Sequence, residues 1–290
     1  MIRQRAGRAI GRRSAAVLVT AIALAGCLPS EPTTPGASNE DITNSVSPTN
    51  VASLTEVVTR NPRDPQAYNM RGSVLGQAGR YQEALADFNK AISLDPSFAQ
   101  AFANRGLVNR QSGRLDQALA DYNRAIAIDA GYAVAYVGRG TVFRQKGQLL
   151  PALNDFNKAI QIRPDDAPAY YNRGLLYQSQ SQHQYAIDDF TTAIGLSPQK
   201  ADPFVARALS YLAVNDLKAA AGDLDNAVLL DPQNVQAWTS RGLAYERLND
   251  KDKAAGSYAK ALNIRRDYEP ATQGFARVGG QPGRSYPTFD

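Results

Sequence analysis

Nucleophilic and metal chemistry draw first on cysteine and histidine, and this chain of 290 residues carries one of each, Cys27 and His183. That is too little for a His/Cys metal site or a conventional catalytic triad. The adjacent carboxylates Asp165-Asp166 and Asp188-Asp189 are of a type used in general acid–base work. The "GRG" at 138–140 has the glycine spacing of a phosphate loop. A stronger pattern is a cation set into an apolar helix stripe. In "AYYNRGLLYQ", residues 169–178, Tyr170, Gly174 and Tyr177 share one helix face, and Arg173 lies on the same stripe. A guanidinium there needs a carboxylate, because desolvating a lone ion costs several kcal/mol.

The arginine recurs in "AYNMRG" (67–72), "AFANRG" (101–106), "AYVGRG" (135–140), "PFVARA" (203–208) and "AWTSRG" (237–242). Arg71, Arg105, Arg139, Arg173, Arg207 and Arg241 are spaced 34 residues apart without a slip. A fixed period of that length means stacked supersecondary units, so one solenoid replaces the two globular domains that length alone suggests. With each unit numbered from Pro65, the arginine is seventh and an aromatic is fourth: Tyr68, Phe102, Tyr136, Tyr170, Phe204, Trp238. Glycine is eighth in five units, with Ala208 in the fifth unit. Alanine holds the twentieth and twenty-seventh places, and a bulky residue holds the twenty-fourth, Phe88, Tyr122, Phe156, Phe190, Leu224 and Tyr258. Proline closes four units, at Pro96, Pro164, Pro198 and Pro232.

On these residues the chain resembles the tetratricopeptide repeat, a helix–turn–helix unit of 34 residues. The resemblance covers 65–268 as six units, 65–98, 99–132, 133–166, 167–200, 201–234 and 235–268. It implies an all-α fold, a right-handed superhelix of helix pairs with capping helices at its ends. The pattern lacks its closing proline at Ala130 and Arg266, and Lys251 and His183 stand where the second helix usually starts apolar. The physics agrees. Small residues let paired helices approach closely, and the turn residues Gly79, Gly113, Gly147, Ser181, Asn215 and Asn249 suit a left-handed helix stop. No unit buries its apolar face alone, so stability comes from stacking.

The register absorbs the candidate chemistry. "GRG" falls inside a helix, Asp165-Asp166 falls at a unit joint, and His183 takes a place filled elsewhere by Tyr81, Leu115, Leu149 and Leu217. No catalytic residue, metal or cofactor is expected. The arginines find aspartate at the twenty-third place: Asp87, Asp121, Asp155, Asp189 and Asp223. A ladder of bidentate Arg–Asp pairs is expected through the stack, the alternative being arginines that snorkel to water. Two registers stay open. Pairing within a unit leaves Arg241 over, since Ser257 replaces its aspartate; pairing with the preceding unit leaves Arg71 over, opposite Ser53.

The formal charge of +5 falls to zero without residues 1–13, "MIRQRAGRAIGRR", which hold five arginines and no acid. A neutral solenoid lacks the electrostatic footprint of a nucleic-acid binder. Those arginines and the apolar run "AAVLVTAIALAG" (15–26) read as an export signal too short to span a bilayer. It ends in "LAGC" (24–27), which resembles a bacterial lipobox. The resemblance implies a signal peptide over 1–26, cleaved before Cys27, whose thiol carries a diacylglycerol. An ordinary secretory signal is the alternative. Acylation by two or more chains tethers stably where one is marginal. Leu28 is not the retention aspartate of enterobacteria, which points to the outer membrane, facing the periplasm. With a single cysteine no disulfide staples the fold. Residues 27–50 read as a flexible tether, 51–64 and 269–278 as capping helices, and 279–290 as a disordered tail.

In this family, places two, five, six, nine, twelve and thirteen usually face a concave groove. Here that implies a partner-binding wall of Asn69, Gln77, Asn104, Arg110, Gln111, Arg144, Gln145, Tyr171, Asn172 and Gln178, turning apolar at Val205, Leu209 and Leu212. Side-chain amides with an apolar end suit an extended peptide. Val134 and Gly138 replace the basic residues with which chaperone-binding relatives clamp a C-terminal carboxylate. The expectation is an envelope-anchored adaptor for other proteins, similar to tetratricopeptide lipoproteins that gather peptidoglycan hydrolases. The runner-up is a pilotin-like assembly factor for a secretin. Pairing of two copies through a solenoid end stays open.

Overall fold

The computed structural model describes residues 48–289, all within one unit, Gly36–Asp290. Cys27, the export signal and most of the expected tether lie outside the described residues. Among the described residues are fourteen α-helices and no strand. An opening helix α1 (Pro48–Arg60) precedes six helix pairs. Their first helices are α2 (Pro65–Gln77), α4 (Ala99–Gln111), α6 (Ala133–Gln145), α8 (Ala167–Ser179), α10 (Ala201–Ala213) and α12 (Val235–Arg247). Their second helices are α3 (Tyr81–Leu94), α5 (Leu115–Ile128), α7 (Leu149–Ile162), α9 (His183–Leu196), α11 (Leu217–Leu230) and α13 (Lys251–Ile264). The last helix is α14 (Glu269–Arg277). None of these helices is long and apolar enough to cross a membrane.

Local chemistry sets each boundary. The turn within a pair needs one left-handed residue, and all six expected positions adopt it: Gly79, Gly113 and Gly147 at φ 71–75°, Ser181 at 59°, Asn215 at 63° and Asn249 at 66°. Four of the six second helices end on an extended residue, as Asp95 does at φ −136°, before Pro96. Asp129 reaches the same conformation before Ala130, where the Gly131 N–H donates to its carboxylate. The same side-chain turn forms at Asp95 and Asp231 ahead of their prolines, so it ends the helix with or without one.

Packing within a pair is set by the eighth and twenty-fourth places. A Cβ added to Gly72, Gly140, Gly174 or Gly242 would sit 2.6–2.9 Å from the ring of Phe88, Phe156, Phe190 or Tyr258 respectively. Only in the fifth pair does alanine, Ala208, replace the glycine, and there the opposing residue is the smaller, fully buried Leu224. Each buried ring contributes about 1.5–3 kcal/mol relative to exposure. First helices also touch the first helices of the next pair, from α2 through α12. These closer spacings make the first helices the inner, concave wall.

The two ends differ from expectation. Helix α1 starts at Pro48, ahead of position 51, and buries Leu54 and Val58 against the first pair. The tail expected to be disordered is not so over 279–289. The Thr288 carbonyl accepts a hydrogen bond from Arg241, and Phe289 lies edge-on to Trp238 at 6.0 Å between ring centroids. A buried cation that lacks the aspartate of its own unit, Ser257 standing there instead, provides the reason.

Candidate functional site

The guanidiniums are positioned first by their own helix pair. Arg139 Nε and Nη2 donate to Asp155 Oδ2 and Oδ1 at 2.8 and 2.7 Å. Arg71–Asp87, Arg173–Asp189 and Arg207–Asp223 repeat this fork within 0.1 Å, and Arg105 shares its donors over both oxygens of Asp121. The register is therefore within the unit. The third nitrogen reaches back to the preceding pair: Nη1 of Arg105, Arg139 and Arg173 donates to Asn89, Asn123 and Asn157, each at 2.7 Å, and that of Arg207 donates to Thr191. Each arginine thus bonds within its unit and stitches it to the one before. The aspartates are buried and the arginines half-buried, and the hydrogen bonds to aspartate hold Arg71, Arg139, Arg173 and Arg207 above their ordinary pKa.

Arg241 is the exception that pairing within the unit requires. It is 1 % exposed. Its Nε donates to Asp225 at 2.6 Å, Nη1 to Ser257 at 2.6 Å, and Nη2 to the Thr288 carbonyl. Trp238, Tyr245 and Phe289 surround it, 4.7–5.6 Å from ring centroids to its Cζ.

The inner wall carries a pocket of about 350 Å³ across α4, α6 and α8. Asn104, Arg110, Arg144, Tyr171 and Asn172, half of the expected groove residues, meet there. The others do not. Asn69 is 2 % exposed and accepts from Asn104 Nδ2 at 2.9 Å, so it positions Asn104 instead of facing a partner. Gln178 is spent between helices, donating to the Ala206 carbonyl and to Ser210. Gln77, Gln111 and Gln145 end their helices, exposed and away from the pocket. Val205 and Leu212 are core residues, because the next pair covers them.

Sequence reasoning missed Tyr122. It rises from α5 into the pocket floor over Gly138, where a Cβ would lie 2.3 Å from the ring. Burial pushes its phenol up to about 12, against the pull of Arg110 beside it. Burial also holds Arg144 below its ordinary value, and repulsion from Arg110 adds to this. The readable signal was glycine at place six of the unit that follows a tyrosine at place twenty-four. No group of three or more His, Cys, Asp or Glu that could hold a metal occurs among the described residues.

Known proteins place the fold. A tetratricopeptide repeat model matches residues 51–97, 69–133 and 205–270; a second matches 167–200, and a TPR repeat model matches 140–181. No curated protein sequence matches. The chain is similar to a chain of the APC/C hetero-tetramer Cut9–Hcn1, at TM-score 0.72 and 20% identity, over 82% of this chain and 48% of that one. It thus spans about half the length of that relative. Pseudomonas aeruginosa PilF aligns at TM-score 0.66 and 20% identity, over 73% and 97% of the two chains. YrrB, described as a TPR protein with an unusual peptide-binding site, aligns at TM-score 0.52 and 24% identity, over 64% and 96%. At these identities the likeness is one of fold.

Proposed function

The chain belongs to the tetratricopeptide repeat family, and on that premise we propose that it is an adaptor, lipid-anchored through Cys27 and displaying its inner wall to partner proteins at the cell envelope. Proteins of this family bind other proteins or peptides. The observation that carries the reading is the pocket itself, open and walled by three successive first helices with side chains not consumed by the ladder. The sequence ahead of residue 48 supports the anchor: a basic start, an apolar run, then "LAGC". A partner docked there would be a cell-wall enzyme or another envelope protein. Scaffold work needs no acid–base pair, in keeping with the structural use of Asp189.

Metabolic labelling with palmitate tests the anchor. Label is expected on the wild type and absent from Cys27→Ala; equal labelling of both, or of neither, rejects lipidation at that thiol. Affinity capture from detergent-solubilised envelopes tests the role. Cell-wall hydrolases or proteases are the expected partners. Secretin subunits would replace this reading with an assembly factor, and murein hydrolysis by the purified chain would replace it with an enzyme.

A further inference from the structure

The twelfth residue of each unit forms a row along the inner wall: Gly76, Arg110, Arg144, Gln178, Leu212, Glu246. The polar members of this row meet different fates. Gln178 is bonded to α10. Glu246 accepts from Arg277 at 2.8 and 2.9 Å and from the Tyr258 hydroxyl at 2.6 Å. Arg110 and Arg144 have no carboxylate partner: each has a buried Nε without an acceptor, and neither forms an ion pair among the described residues. The one acid lining the pocket, Asp166, is bound to Arg163. Two cations therefore share one pocket in which no anion is paired to either of them.

The sixth pair shows what completes such a space. Helix α14 acts as the first helix of a truncated seventh unit, and its Gly274 admits Tyr258 as Gly138 admits Tyr122, a Cβ lying 2.3 Å from the ring in both cases. There the chain supplies its own carboxylate, Glu246, to the tyrosine hydroxyl and a guanidinium. In the pocket of α4, α6 and α8 the same tyrosine is present and the twelfth residue is a cation.

We infer that the Arg110–Arg144–Tyr122 pocket receives the side-chain carboxylate of an aspartate or glutamate within an extended segment of the partner protein. The inference rests on the adaptor reading and specifies its site. A side chain is favoured over a chain terminus because the wall of first helices continues on both sides of the pocket. Leu107 and Val134, 39 % and 40 % exposed, line the same pocket and suit apolar neighbours of the acid.

Pools of amidated nonapeptides, random except for a fixed central residue, test this against the full mature chain. Glutamate or aspartate pools should bind at least about tenfold better than glutamine or asparagine pools, since bidentate charge-assisted pairs are the strong ones. Arg110→Gln and Arg144→Gln should erase that preference while leaving the melting temperature unchanged or higher, because neither arginine has an internal carboxylate to strand and both lose a mutual repulsion. Equal binding of acidic and amide pools, no binding by any pool, a preference that survives both substitutions, or a preference appearing only with free C-terminal carboxylates would each overturn the inference. The adaptor reading falls separately, on the envelope capture experiment.

Discussion

Tyr122 and Gly138 interlock across two repeats. The phenol ring of α5 occupies the space a Cβ on α6 would need, 2.3 Å from Cε1 and 2.8 Å from the hydroxyl oxygen. Where the twenty-fourth residue is Phe88 or Phe156, the following unit carries a full side chain at that place, Asn104 or Asn172. The hydroxyl and the glycine thus go together, and they bring a polar group through the floor of the inner wall.

Gly138→Ala should therefore destabilise the chain by roughly 1–3 kcal/mol, the range for overpacking a filled site. Adding Tyr122→Phe should recover most of that loss, since phenylalanine tolerates a Cβ opposite it elsewhere in the same chain. Denaturant unfolding of the single and double variants measures the coupling. Strictly additive losses would show that the two residues do not share this space.

Arg139→Leu leaves the buried Asp155 without its fork and Asn123 without its donor. The expected cost is about 3 kcal/mol, the low end for a broken buried pair because the arginine is partly exposed. Arg139→Leu combined with Asp155→Leu should cost less than Arg139→Leu alone, because no stranded charge remains. The unfolding midpoint reads both.

The hydrogen bond from Arg277 holds Glu246 below the ordinary glutamate value of 4.5. A depressed folded-state pKa means the carboxylate's contribution is complete above pH 4.5 and is lost as pH falls through the lower folded value. Melting temperatures followed from pH 7 into acid should fall less steeply in Glu246→Gln than in the wild type below that point. Parallel acid limbs would mean that Glu246 is not linked to folding.

Phe289 and the Thr288 carbonyl close the site around Arg241. Phe289→Ala should cost about 1 kcal/mol from the lost aromatic and cation–π contacts. Trp238 is the only tryptophan and is buried, so its emission should shift to the red in Phe289→Ala. An unchanged spectrum would mean that the tail does not cover the ring.

The period, the left-handed turns and the apolar stripes were legible in the sequence because they are local: each depends on residues within one 34-residue unit, and the unit recurs. The identity of the ladder's partners was legible for the same reason. Its register was not, since the aspartates of both the same and the preceding unit, Asp155 and Asp121, border the stripe that Arg139 faces, and only the stacking angle decides which one it forks. Tertiary structure alone placed Asn69 and Gln178 among internal bonds, turned the terminal residues back onto Arg241, and left Arg110 and Arg144 facing open space. Those outcomes depend on which side chain of one unit reaches an atom of the next, a distance set by the curvature of the whole stack and by no single repeat.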